Sequence, residues 1–115
     1  MAQPIILISV RILNPTTFRL GDEAEQLRLT TQSMGGMTIL GMQESSIAGY
    51  PAWQMTTRVD PRPHLGQREI MVDDVVLWPA GERYYRFSLW VPEDQREGPY
   101  GRAFDQLIAS VELVP

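Results

Sequence analysis

The sequence predicts a single α+β domain, a largely antiparallel sheet with helices packed on it in the order β-α-β-β-β-β-α. Three observations carry that expectation. The chain has 115 residues, the common size of one domain with one core, so residues 1–115 are read as one unit. Two segments repeat apolar residues every three or four positions, the helical period. Five others are apolar or alternating runs bounded by glycine, proline or asparagine, as strands are.

Ile5 to Leu13 carries Ile5, Ile6, Leu7, Ile8, Val10, Ile12 and Leu13, and ends at the turn-forming Asn14-Pro15. So few polar positions suggest a central strand, covered on both faces. From Asp22 to Met34 the period becomes helical, through Ala24, Leu27, Thr31 and Met34. Asp22, Glu23 and Glu25 complement the helix dipole at its start, and Gly35-Gly36 ends it. Met37 to Ile47 and Pro51 to Val59 read as a hairpin turning at Gly49, with Trp53, Met55, Thr57 and Val59 on one face.

Two prolines keep Asp60–Gly66 out of any central strand, so it is expected as an exposed loop. Gln67 to Trp78 and Arg83 to Val91 form the clearest hairpin, with Pro79-Ala80-Gly81-Glu82 expected as its turn. In the second arm Tyr85, Phe87, Leu89 and Val91 point one way, towards a core, and Tyr84, Arg86, Ser88 and Trp90 the other. A polar loop from Pro92 to Tyr100 leads to a last helix, Gly101 to about Val111. Its Phe104, Leu107, Ile108 and Val111 make one apolar stripe that must dock on the sheet.

Composition removes several chemistries. There is no cysteine, which excludes disulfides, thiolate nucleophiles and Cys-ligated metals within this chain. The net charge is −4, spread along the sequence, and phosphate backbones need a basic footprint, so nucleic acid is not an expected partner. All basic residues are arginine, so there is no lysine for a phosphate-binding loop, and Gly35, Gly36 and Gly41 lack its spacing. Ile5 to Val10 is too short to span a membrane and lacks signal-peptide flanks. With Met1 as the natural start, a cytoplasmic protein with no membrane insertion is expected.

His64 is the only histidine, so no His-based metal cluster can form, and a solvated loop histidine is the plainer reading. Asp73-Asp74 pairs two carboxylates, but strand alternation sends one outwards and no loop nearby adds oxygen ligands. Ser88 and Ser110 lack the Gly-x-Ser-x-Gly setting of a hydrolase nucleophile. No catalytic residue, metal site or cofactor is therefore expected, and what remains is surface. Tyr50, Trp53, Trp78, Tyr84, Trp90 and Tyr100, with Arg58, Arg62, Arg68, Arg83, Arg86 and Arg96, are residue types enriched at protein interfaces. The competing reading places these aromatics in the core and the arginines in solvent. Tyr84, Arg86 and Trp90 are the candidates for exposure, because the opposite face of their strand already reads as core, although helices on both faces would cover them.

With these elements placed, the second half of the chain resembles the PsbP-like superfamily. The resemblance rests on Ile47-Ala-Gly-Tyr-Pro-Ala-Trp53 in the first hairpin, Gly81-Glu-Arg-Tyr-Tyr-Arg-Phe87 opening the late strand, and Pro92, Tyr100 and Phe104-Asp-Gln-Leu-Ile-Ala-Ser110 around the last helix. Order and spacing are similar over about Ile5 to Leu113. The resemblance implies an α/β/α sandwich and a non-enzymatic accessory, assembly or chaperone-like factor. Its partner, an unidentified protein, would be met by the sheet face of Tyr84, Arg86 and Trp90 and by the loop of Arg62 and His64. Members of the superfamily usually begin with an extra strand or hairpin, and this chain starts late against that pattern. The expectations that follow are a truncated natural protein, a different pairing of Ile5 to Leu13, or a homodimer whose second subunit covers the open edge. Two further readings stand beside the binding module: a small-ligand pocket or minor enzyme site lined by Asp73, Asp74, Arg86 and Trp90, and a purely structural homodimer.

Overall fold

The computed structural model describes residues 4–111. The start at Met1 and the far end of the resemblance at Leu113 lie outside the described residues. The elements are β1 (Ile5–Ile12), α1 (Leu20–Ser33), β2 (Met37–Ile47), β3 (Tyr50–Val59), β4 (Met71–Ala80), β5 (Arg83–Pro92) and α2 (Pro99–Ala109), the order the sequence predicts. They build one antiparallel sheet in the spatial order β1-β5-β4-β3-β2.

Turn chemistry sets the meander. Ala48 and Gly49 both take positive φ, 50° and 83°, the handedness that a two-residue hairpin between twisted strands requires. Ile47 then faces Tyr50. The second hairpin is tighter than the sequence suggests. Its turn is Gly81-Glu82 alone, with Gly81 at φ 63°, while Pro79 and Ala80 belong to β4 and face Tyr84 and Arg83. Pro79 is tolerated because it lies past Leu77, where the β3–β4 ladder ends, so no bond is lost there. The loop before β4 extends to Ile70, and Pro63–Leu65 within it forms a 3-10 turn.

The expected central position of β1 is corrected, since it is an edge strand pairing only with β5. The physical reason is connectivity. Four sequential antiparallel strands pair with one another, so β1 is left an outer edge, and it takes the one beside β5. A run apolar on both faces over most of its length looks the same in sequence whether both faces are covered or neither is.

Each face of the sheet carries one helix, giving the α/β/α sandwich. Cross-strand alternation puts Val72, Val76 and Trp78 of β4 on the same face as Phe87, Leu89 and Val91 of β5, and Phe104 of α2 closes this core with Ile108 and Val111 at its margin. Trp78 is fully buried, and its indole Nε1–H donates to the Ile47 carbonyl at 3.0 Å, which ties β4 to the first hairpin. On the other face Ala24 and Leu27 of α1 pack on Val75, Leu77 and Tyr84, with Phe18 and Trp53 beside them.

Among the described residues one charged side chain is fully buried. Asp74 is 1% exposed on the α2 face, and Arg96 donates to its Oδ2 from Nε at 3.1 Å and from Nη2 at 2.6 Å. Gln54 and Thr56 of β3 donate to Oδ1 at 3.0 and 3.2 Å. Four donors answer the carboxylate, as a buried charge needs. Burial works against the charge of Arg96, and its hydrogen bonds to Asp74 and Asp105 outweigh that and hold its pKa above the usual value.

The approach of Arg96 depends on Gly101. A Cβ at Gly101 would lie 1.6 Å from the Arg96 carbonyl oxygen and 2.6 Å from its Nη1. Gly101→Ala should therefore destabilise the fold by about 1–3 kcal/mol through overpacking, although alanine is worth about 1 kcal/mol more than glycine in a helix interior. Urea denaturation measures this, and an unchanged or higher midpoint would contradict it.

Candidate functional site

A concavity lies on the α1 side, where helix and sheet diverge towards β1. A cleft of about 370 Å³ is lined by Ser9, Val10 and Arg11 of β1, Glu23 of α1, and Tyr84 and Arg86 of β5. A depression of about 200 Å³ shares Glu23, Tyr84 and Arg86 and continues under the helix along Gln26, Leu27 and Thr30. Glu23, Gln26, Leu27 and Thr30 are three, four and seven positions apart, so one flank of α1 forms the wall. The odd residues of β1 face the same way as Tyr84 and Arg86, since Arg11 pairs with Tyr84 and Ser9 with Arg86.

Within the cleft Arg11 donates to Glu23 at 3.0 Å, and its guanidinium lies 4.9 Å from the centroid of the Tyr84 ring. Phe18 packs on the same ring at 4.9 Å. Tyr84 is 7% exposed and forms the floor of the cleft, so its expected exposure is corrected. The cause is that α1 and the segment after β1 close over this face, a contact invisible in strand alternation. Burial, reinforced by Glu23 and opposed by Arg11 and Arg86, pushes its phenol up to about 12. Arg86, two residues on, is exposed at the mouth.

The other predicted residues lie elsewhere. Trp90 is half-buried six residues along β5 from Tyr84, roughly 20 Å at the rise of a strand. It lies towards the end where β3 runs into the loop of Arg62 and His64. His64 is exposed there and Arg62 half-buried. The structure thus brings Tyr84 and Arg86 into one cleft and leaves Trp90, Arg62 and His64 at the opposite end of the sheet. Sequence reading passed over Ser9, Arg11, Glu23 and Gln26. The available signal was Arg11, the lone charge in an otherwise apolar strand, which needed an anionic neighbour.

The pocket expected from Asp73, Asp74, Arg86 and Trp90 does not form. Asp73 and Asp74 alternate across β4, and Asp74 is committed to Arg96, Gln54 and Thr56 on the α2 face. Asp73 stays on the α1 face with its pKa raised by burial, an effect opposed by Arg86 and increased by Asp74. Ser110 donates its hydroxyl to the Leu107 carbonyl at 3.0 Å and acts as a helix terminator. Among the described residues no group of three or more His, Asp or Glu side chains is placed to hold a metal ion, and no helix is long and apolar enough to cross a membrane.

This five-stranded antiparallel sheet between two helices is a fold shared with solved structures, that of a PsbP protein among them. All of the chain matches 87% of protein PA94 from Pseudomonas aeruginosa, a protein of unknown function described as a candidate regulator, with a TM-score of 0.70 and 13% identity. Similarly, 95% of the chain matches 66% of the cyanobacterial PsbP protein, CyanoP, from Synechocystis sp. PCC 6803, with a TM-score of 0.66 and 12% identity. At such identities the likeness is one of fold. No protein-family model matches the sequence, and no curated protein matches it.

The environment of Asp73 makes a prediction about pH. Its folded pKa lies above the ordinary 3.8, so just above that pH the folded chain keeps a proton that the unfolded chain releases. Stability then falls as pH rises through this window, and the penalty persists to neutral pH. Asp73→Asn should raise the thermal midpoint at pH 7, and the gain should vanish below about pH 3.5, where the unfolded carboxyl is also mostly protonated. An equal gain at both pH values would contradict the assignment.

Proposed function

We propose that this chain is a non-enzymatic protein-binding module, an accessory, assembly or chaperone-like factor, and that the α1-side cleft receives its partner. The observation that carries the reading is the arrangement around Arg86. An exposed guanidinium stands at the mouth of a cleft whose floor is the rigid, buried ring of Tyr84 and whose remaining ion pair, Arg11–Glu23, is already closed. Arginine beside a packed aromatic is a common anchor at protein interfaces. The partner group that fits is a carboxylate next to an apolar side chain, the first meeting Arg86 and the second resting on Tyr84 and Leu27.

Several features support binding over catalysis. The buried carboxylate Asp74 is neutralised by Arg96, and Glu23 is bonded to Arg11, so both act as fixed structural charges. Trp90, Arg62 and His64 are proposed as a second, outlying contact that only an extended partner would reach. The PsbP-like fold and the regulatory description of PA94 are compatible with such a role.

The test compares proteins captured from the source lysate by the wild type, by Arg86→Glu and by Arg102→Glu, the last a charge reversal at an exposed position of α2. Partners held by the wild type and Arg102→Glu should be depleted at least tenfold with Arg86→Glu, about 1.4 kcal/mol or more. Equal capture by all three would remove the cleft from the account.

A further inference from the structure

The sheet has two edges, and they are built differently. β2 interrupts its ladder with a bulge between Ile39 and Gly41 and carries Gln43, Glu44, Ser45 and Ser46, the devices that keep an edge from pairing. β1 has no bulge, and its polar residues are Ser9 and Arg11 alone. Its ladder with β5 runs unbroken from Ile5–Trp90 to Ile12–Arg83, it contains no proline or glycine, and its one charge is Arg11. Ile5, Ile6, Leu7, Ile8, Val10 and Ile12 are all exposed, from 40% at Ile6 to 82% at Ile12. Ile6, Ile8, Val10 and Ile12 form a continuous apolar row on the α2 face, with Ile5 and Leu7 on the other face, a concentration of exposed apolar side chains that marks an interaction surface.

The free backbone groups can be assigned. The Leu13 N–H donates to the Glu82 carbonyl at 3.1 Å, which continues the β1–β5 register by one step. Antiparallel ladders alternate between pairs that exchange both bonds and pairs that exchange none, so the odd residues of β1 turn their N–H and C=O towards β5. Ile6, Ile8, Val10 and Ile12 turn theirs outwards.

We propose that β1 pairs antiparallel with β1 of a second copy of this chain across a two-fold axis, joining two five-stranded sheets into one of ten strands. The strand is complementary to itself. Outward groups meet only if even residues face even residues, as in Ile6 opposite Ile12 with Ile8 opposite Val10, or Ile8 opposite itself with Ile6 opposite Val10. In the first register Arg11 faces Leu7 and in the second Ile5, so like charges never meet. Both registers lay isoleucine and valine side by side on the α2 face, extending the apolar row of Phe87 and Leu89. A charged or proline-bearing partner strand would lose this fit. The proposal is independent of the cleft at Arg86.

Analytical ultracentrifugation and amide hydrogen exchange test it together. The wild type should sediment at twice its 13.1 kDa chain mass at micromolar concentration. The amides of Ile6, Ile8, Val10 and Ile12 should be protected in the dimer and lose protection at least tenfold on dilution, while Leu7 and Ser9 stay protected. Ile8→Pro removes an outward N–H and no intrachain bond, so it should remain folded by circular dichroism and become a monomer. A wild type that stays monomeric at tens of micromolar would overturn the proposal. So would a dimer with unprotected even amides, which assembles through another face. A monomer with protected even amides, or protection that appears only when a different protein is added, would give the edge to another occupant and equally overturn it.

Discussion

The position of a single buried carboxylate organises this molecule. Asp74 sits in the middle strand of the sheet, shielded from water, and its charge can stay there only while Arg96, Gln54 and Thr56 answer it. Removing one partner of such a pair costs far more than a surface ion pair does, because the group left behind is charged and dry. Arg96 must therefore return to the sheet before α2 begins. That requirement fixes the turn after β5, places Gly101 against the Arg96 carbonyl, and delivers Phe104 to the face of Trp78 and Leu89.

From this anchor the asymmetry of the fold follows. Arg96 is drawn to Asp74 of β4, α2 packs on β5 with Phe104 reaching the core of its face, and α1 lies over β2, β3 and β4 on the other face. Neither helix is centred on β1. The strand with the most apolar sequence is thereby the one with the least cover, and its side towards α1 becomes the outer wall of the cleft that Tyr84 floors. Burial energetics then favour something beyond the chain itself at this edge, since every apolar side chain withdrawn from water there contributes of the order of 1–2 kcal/mol.

Much of this was legible in the residues. Alternation in Arg83–Val91, the stripe of Phe104 and Ile108, and the turn signals at Gly49 and Gly81 depend on local geometry, and local geometry is what sequence periods report. The place of β1 was hidden because a strand apolar on both faces over most of its length records only that it avoids water. The cleft was hidden because it joins Arg11 to Glu23 and Ser9 to Arg86, contacts fixed by the order of strands across the sheet. The partners of Asp73 and Asp74 were hidden in the same way. Strand alternation already told that they face opposite ways, and what it could not tell is that Asp74 meets Arg96 while Asp73 keeps its proton to higher pH.

A double-mutant cycle on Asp74 and Arg96, read by denaturant unfolding of Asp74→Asn, Arg96→Met and the double variant, tests the anchoring role most directly. Each single change should cost about 3–5 kcal/mol, and the double change should cost little more than either alone, since it leaves no unpaired buried charge. Single losses under about 1 kcal/mol that simply add would show an ordinary surface-like ion pair, and the organising role given to Asp74 would have to be withdrawn.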